Sequence, residues 1–227
     1  MNSQVTTLGR SSAEVSSSSK VLKNTYMLLA MTLLFSAALA GVSMAMNMPY
    51  MVSLGSTIAA MLLLWFVVPR TAHSAAGIGV VFAVTGLLGF GLGPMLNHYL
   101  GLPNGPQLVM GAMGITAFVF LGLSAYVLVT RKDFSFMGGF LMTGVLVAFV
   151  AALVALGASL LGYPMPGLSL AVSALFALLM SGMILWQTSE IVNGGETNYV
   201  LATISLYVSI YNLFTSLLHL LGFASND

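Results

Sequence analysis

The chain carries very little charge for its length. Of its 227 residues, six are Lys or Arg and five are Asp or Glu, so that 5% are charged, against roughly 25% in an average soluble domain. A surface of this size needs many more charged side chains if it is to face water. The net charge of +1 also gives no indication of a nucleic-acid partner. The composition therefore excludes an ordinary soluble domain.

The chain also has no cysteine. This excludes disulfides, thiolate metal sites and a cysteine nucleophile, and it leaves the redox compartment open. The three histidines, at positions 73, 98 and 219, are too scattered for a metal-ligand cluster. Chemistry inside a membrane usually needs ionisable groups that face the interior of the helix bundle, and the apolar segments contain almost none. The sequence therefore predicts a protein that is not an enzyme and that has no cofactor and no metal site.

Long apolar segments dominate the rest of the chain. Hydrophobic residues make up 59% of it, and the mean hydropathy is +1.02. Seven segments are long enough to cross about 30 Å of hydrocarbon as helices that satisfy their own backbone groups. We predict an all-α, polytopic membrane protein with seven transmembrane helices. The predicted spans are 26–46, 50–68, 75–96, 108–130, 136–161, 168–188 and 199–223.

The amino-terminal segment differs from the spans. Residues 1–23 are polar and serine-rich, which predicts a flexible tail because such a stretch buries too little apolar surface to order itself. Residues 24–227 then form the transmembrane domain. A basic tail, an apolar run and Ala38-Leu39-Ala40 also resemble a cleavable signal peptide. The apolar run continues to Met46 and the tail is long for a signal peptide, so we favour an uncleaved first span.

The basic residues predict the orientation. In a seven-span arrangement every Lys and Arg falls on one side of the membrane, and the short loops on the other side have none. By the positive-inside rule, the tail is cytoplasmic and residues 224–227 lie on the far side, which is the periplasm in a bacterium. The basic residues are Arg10, Lys20, Lys23, Arg70, Arg131 and Lys132.

The seventh span carries the most polar side chains. Two stripes recur at spacings of three and four, which places each on one side of a helix. A helix with polar groups on two faces is typically enclosed by others, where its hydroxyls and amides find partners. Core hydrogen bonding and a polar conduit beside the helix both fit this pattern. One stripe is Ser205, Ser209, Asn212, Ser216 and His219, and the other is Tyr199, Thr203, Tyr207 and Tyr211.

Two glutamates and two glycines complete the candidate features. Glu190 and Glu196 flank the loop before the seventh span, either as solvated charges or as cation or partner contacts at a cytoplasmic mouth. Gly89 and Gly93 have the spacing that lets two membrane helices approach closely.

Several segments together resemble a known family. The match covers nearly the whole chain and is closest in residues 185–214, which read LWQTSEIVNGGETNYVLATISLYVSIYNLF. Residues 21–26 (VLKNTY), 93–97 (GPMLN), 130–136 (TRKDFSF) and 221–225 (LGFAS) add to it. The chain resembles the Bax inhibitor-1 family of membrane proteins, and more closely its bacterial YccA branch.

The resemblance implies seven helices, with the last surrounded by the other six. Some family members are pH-sensitive calcium leak channels gated by a pair of aspartates. The matching positions here are Gln187 and Ser209, which cannot titrate near neutral pH or supply a carboxylate to Ca²⁺. The YccA branch instead implies an inner-membrane partner of the ATP-dependent protease FtsH, which it occupies as a substrate.

These observations give one leading hypothesis and one alternative. The first is a non-enzymatic regulator in a bacterial inner membrane that binds an FtsH-type protease through its tail and its membrane helices. The alternative is a calcium or cation leak channel along the seventh span, with the di-aspartate gate absent. Calcium binding is disfavoured because the gate carboxylates are missing.

Overall fold

A computed structural model describes residues 12–225, and within this range every regular element is helical. Seven helices are long and apolar enough to cross a membrane, which confirms the predicted number of spans. We number them in chain order. They are α1 (Ser12–Ala45), α2 (Tyr50–Thr71), α3 (Ala76–Leu100), α4 (Gly105–Thr130), α5 (Gly138–Leu160), α6 (Pro166–Asn193) and α7 (Tyr199–Ala224).

Helix α1 begins earlier than the sequence predicts. Because α1 starts at Ser12, residues 12–23, which the composition predicts to be flexible, are helical in the structure. Val21 and Leu22 pack against the core, so that tertiary contacts extend the helix beyond its apolar span. The remainder of the predicted tail, residues 1–11, lies outside the described residues.

Helix α2 is irregular near its end. Its α-helical part, Tyr50–Leu62, is followed by a π-helical turn, Leu63–Val67, and a last α-helical turn, Val68–Thr71. Pro69 lies in this last turn, where its missing N–H removes one helical hydrogen bond. The second span was predicted to end at residue 68, whereas the helix continues to Thr71, two residues beyond Pro69.

Helix α7 lies at the centre of the bundle. Its principal neighbours are α1, α3, α4 and α6, while α2 packs on α3 and α5 packs on α6. Four helices therefore surround α7 directly, and the other two, α2 and α5, lie outside them.

Small residues hold α1 and α3 close together. A Cβ atom added at Gly89 would overlap the backbone carbonyl of Ser36, and one added at Gly93 would overlap the side chain of Ser43. Only glycine allows this approach, which confirms the prediction from the spacing of the two glycines.

Candidate functional site

The two positions that match the aspartate pair of the family are brought together in the structure. Gln187 of α6 is 9% exposed and Ser209 of α7 is 2% exposed. The Ser209 hydroxyl lies 3.1 Å from Gln187 Oε1 and also 3.1 Å from the Ser205 carbonyl, so it donates to one or the other. The pair is neutral. It forms a buried polar contact between α6 and α7, and neither partner exchanges a proton near neutral pH.

The other side of α7 makes a separate polar contact. The Tyr207 hydroxyl lies 2.5 Å from Ser36 Oγ of α1 and donates to the Thr85 carbonyl of α3 at 3.2 Å. Because Tyr207 is 1% exposed, these partners replace water for its hydroxyl. Thr203, one turn earlier, lies within 3.3 Å of the Thr25 carbonyl of α1. This stripe of α7 therefore joins it to α1 and α3, as core hydrogen bonding predicts.

The stripe of serine, asparagine and histidine is divided between two environments. Ser209 and Ser216 are buried, whereas Ser205 is exposed and Asn212 and His219 are half-buried. Asn212 Nδ2 donates to the Val208 carbonyl of its own helix at 2.8 Å. Ser205 is therefore the one member of this stripe that the neighbouring helices leave exposed, whereas His219 Nδ1 lies 2.9 Å from Ser173 Oγ of α6.

Glu190 does not lie in a loop. Helix α6 extends to Asn193 and ends at Gly194, whose φ of 83° favours glycine. Glu190 is therefore half-buried in the last turn of α6, and its carbonyl accepts from the N–H groups of Gly195 and Glu196. Glu196 Oε1 in turn accepts from the Asn198 N–H at 2.7 Å. Both glutamates shape the connection between α6 and α7, and they lie apart from the buried pair.

Asn198 joins this connection to another loop, a role that the sequence analysis missed. Its Oδ1 accepts from the N–H groups of Val200 and Leu201 at the start of α7. Its Nδ2 donates to the Ala72 carbonyl at 2.9 Å and lies 3.2 Å from His73 Nδ1. An asparagine directly before a long apolar run is a recognisable helix start signal.

Ser189 makes the corresponding link to the loop between α4 and α5. Its Oγ accepts from the Phe134 N–H at 2.9 Å and donates to the Lys132 carbonyl at 3.2 Å. Asn193 Nδ2 lies 3.3 Å from the same carbonyl. Three loops are thus held together at one end of the bundle, the end that also carries Arg70 and Lys132.

The chemical character of the interior is neutral and hydrogen-bonding. Within residues 18–225, the part of the chain whose side-chain burial the structure describes, no charged side chain is among the buried ones. The same range contains no group of three or more His, Cys, Asp or Glu residues that could hold a metal ion. The arrangement connects helices, and the described interior contains no charged group that could pair with a buried ion.

Known proteins match the chain over almost all of its length. The family model described as inhibitor of apoptosis-promoting Bax1 matches residues 18–226. A protein of Pseudomonas aeruginosa is 49% identical over 227 residues, which is 100% of both chains. An Escherichia coli K12 protein named modulator of FtsH protease YccA is 50% identical over 211 residues, 93% of each chain. A protein of Escherichia coli O6:H1 with the same identity and coverage is named inner membrane protein YccA.

Proposed function

The chain belongs to the family of inhibitor of apoptosis-promoting Bax1, and on this basis we propose that it is a non-enzymatic regulator of an FtsH-type membrane protease. The observation that carries the proposal is the 50% identity to the Escherichia coli modulator of FtsH protease over 93% of both chains. Identity at this level over 93% of both chains is consistent with a shared partner as well as a shared fold.

We place the protein in a bacterial inner membrane with its amino terminus in the cytoplasm. The relative named as an inner membrane protein supports the location. The three loops joined by Ser189 and Asn198 lie at the end with the basic residues, and the positive-inside rule assigns that end to the cytoplasm. A cytoplasmic ATP-driven protease would then meet both the amino-terminal segment and this loop surface.

The first experiment is co-purification from gently solubilised membranes. With a tag on the amino-terminal segment, an FtsH-type protease should be enriched above the level seen with an unrelated seven-span protein. An intact, folded protein without such enrichment would contradict the proposal.

Removal of residues 1–10 tests how the protease engages the chain. The sequence predicts that residues 1–10 belong to a flexible tail, the kind of end that a AAA protease grips, so the shortened protein should be processed more slowly while it folds as before. Turnover can be measured by pulse-chase and folding by gel filtration in detergent. Unchanged turnover of the shortened protein would argue against engagement at this end.

The calcium-leak alternative is disfavoured by the neutral pair at Gln187 and Ser209. Calcium prefers oxygen ligands with some negative charge, and neither side chain supplies a carboxylate. Flux into vesicles can be compared among the unaltered protein, Ser209→Asp and Gln187→Asp. Calcium entry that either aspartate increases above the level of a protein-free vesicle would favour the alternative.

A further inference from the structure

Methionines gather at the end of the bundle where α1 turns into α2. Four of the sixteen methionines of the chain fall within residues 44–51, and Met95 lies near the end of α3. Met48 and Met95 line one pocket of about 640 Å³ together with His98. We call this the methionine pocket. It lies at the end of the bundle opposite the basic loops, which faces the periplasm in the orientation proposed above.

The turn after α1 fixes the position of Met48. The Met48 N–H donates to the Ser43 carbonyl at 3.3 Å, and the Asn47 N–H donates to the Met44 carbonyl at 3.0 Å, which together form a Schellman motif. Asn47 has the left-handed conformation that this motif requires, with a φ of 47°. Pro49 follows, and its ring holds the next φ at −69°. The backbone of Met48 is therefore held between a capped helix end and a proline.

Helix α3 supplies the other two side chains from one of its faces. Met95 and His98 are three residues apart, which makes them neighbours on a helix surface. Between them, Asn97 Nδ2 donates to the Met44 carbonyl at 3.1 Å and so ties the end of α1 to this turn of α3. Met95 is half-buried and packs beside the cluster around Tyr99, whereas His98 is exposed. Two thioethers and one imidazole therefore meet at a single pocket from two elements that are bonded to each other.

The chemistry of these three side chains selects among metal ions. Within the described residues, no Asp, Glu, Lys or Arg lines the pocket. Calcium and magnesium prefer oxygen ligands, with carboxylates prominent among them, so this pocket does not suit them. Thioether sulfur is a soft ligand that selects Cu(I), and imidazole also suits copper. Because all three ligands are neutral, a monovalent ion also leaves less charge uncompensated at the membrane edge than a divalent one.

We propose that the methionine pocket binds Cu(I) through the sulfur atoms of Met48 and Met95 and the imidazole of His98. Methionine also serves as an adaptable filler of apolar cores. Here, however, both methionines are half-buried at a pocket that Asn47 and Asn97 also line. The missing cysteine and the scattered histidines predicted no metal site, but that prediction did not count thioethers as ligands. The inference goes beyond the proposed regulation of a protease and does not depend on it.

Competition for Cu(I) tests the proposal on the purified full-length protein in detergent with ascorbate. The competitor is the chromogenic Cu(I) chelator bicinchoninic acid. Met95→Leu should weaken Cu(I) binding by about 100-fold, at least as much as the loss of an outer partner of a metal ligand, and Met48→Leu should do the same. Leucine keeps the volume of the side chain and removes the sulfur, so folding is retained, which thermal unfolding checks. The matched control is Met113→Leu, at a position 57% exposed on α4, which should leave the affinity unchanged.

X-ray absorption at the copper edge identifies the atoms that bind the metal. The unaltered protein loaded with Cu(I) should show sulfur and nitrogen neighbours around the copper. His98→Gln should remove the nitrogen of the imidazole and weaken binding while the sulfur neighbours remain. Met95→Leu should instead lower the sulfur contribution and retain the nitrogen.

Three results would overturn the site. The first is an unaltered protein that does not compete with the chelator for Cu(I). The second is an equal affinity for Met95→Leu and Met113→Leu, which would place the bound metal at other methionines. The third is a copper spectrum without sulfur neighbours. A loss confined to the variants of the methionine pocket, with sulfur neighbours in the spectrum, would establish the site.

Discussion

Helices α5 and α7 show opposite relations between polarity and burial. In its most apolar 18-residue window, the span of α5 has a mean hydropathy of 2.5 and is 17% buried, whereas that of α7 has a mean hydropathy of 1.5 and is 50% buried. In a water-soluble protein, the more buried helix is expected to be the more apolar one. Here lipid surrounds the bundle, so apolar side chains can face outward at no cost. Polar groups gather inside because only other helices supply their hydrogen bonds.

Inner and outer positions can be compared within α3, where Gly89 lies against α1 and Gly79 faces open space. Gly89→Ala should cost about 3 kcal/mol of the free energy of unfolding, or prevent folding, because the new methyl group would overlap the carbonyl of Ser36. Gly79→Ala should have no destabilising effect, since nothing lies within 4 Å of its added Cβ atom. Denaturant titration in bicelles measures both. A similar loss for the two variants would contradict the close packing of α1 and α3.

The inner and outer helices can also be compared through two leucines. Leu206 of α7 is 0% exposed and Leu146 of α5 is 66% exposed. Leu206→Ala leaves a cavity and should cost about 2 kcal/mol, less than the largest values in soluble cores because lipid also solvates the unfolded leucine. Leu146→Ala should cost under about 0.5 kcal/mol, because lipid fills the space that the side chain leaves. The same titration gives both values, and a larger loss at Leu146 would show that α5 contacts more than lipid.

Most of the fold could be predicted from the sequence. The seven spans and the close glycine contact follow from hydropathy and spacing, which depend only on local chemistry. The end of α6 was placed five residues too early, at 188 instead of Asn193, because polar residues after Thr188 were interpreted as a loop. A glycine directly after a helical pattern is a known end signal, and Gly194, which has a φ of 83°, marks the end of α6.

The division of the polar stripe on α7 could not be predicted. Residues three and four apart lie on one side of a helix, but that side is wide enough to meet a neighbour at one edge and open space at the other. Ser209 meets Gln187 of α6, whereas Ser205, one turn away, is exposed. Only the positions of the other helices decide between these environments, and spacing along the chain carries no information about them.

The smallest effect is expected for a single hydroxyl group. Tyr207→Phe removes the contacts with Ser36 and Thr85 and should cost about 1 kcal/mol, the usual size for a hydrogen bond between membrane helices. Tyr163→Phe is the control, because Tyr163 is 76% exposed outside the bundle and should change nothing. Thermal unfolding in detergent compares the two. Equal midpoints for both variants would mean that the Tyr207 hydroxyl does not stabilise the interior.

The packing of α1 has a mechanical consequence. A motor that pulls on residues 1–10 applies its force to α1 before any other helix. Ser36 lies at the crossing with Gly89 of α3 and also meets the Tyr207 hydroxyl of α7, so both attachments bear the load at the same level of the membrane. Attachments loaded together resist more than attachments loaded in turn. If the proposed protease pulls at this end, extraction would meet a barrier at its first step, because two attachments of α1 must break together.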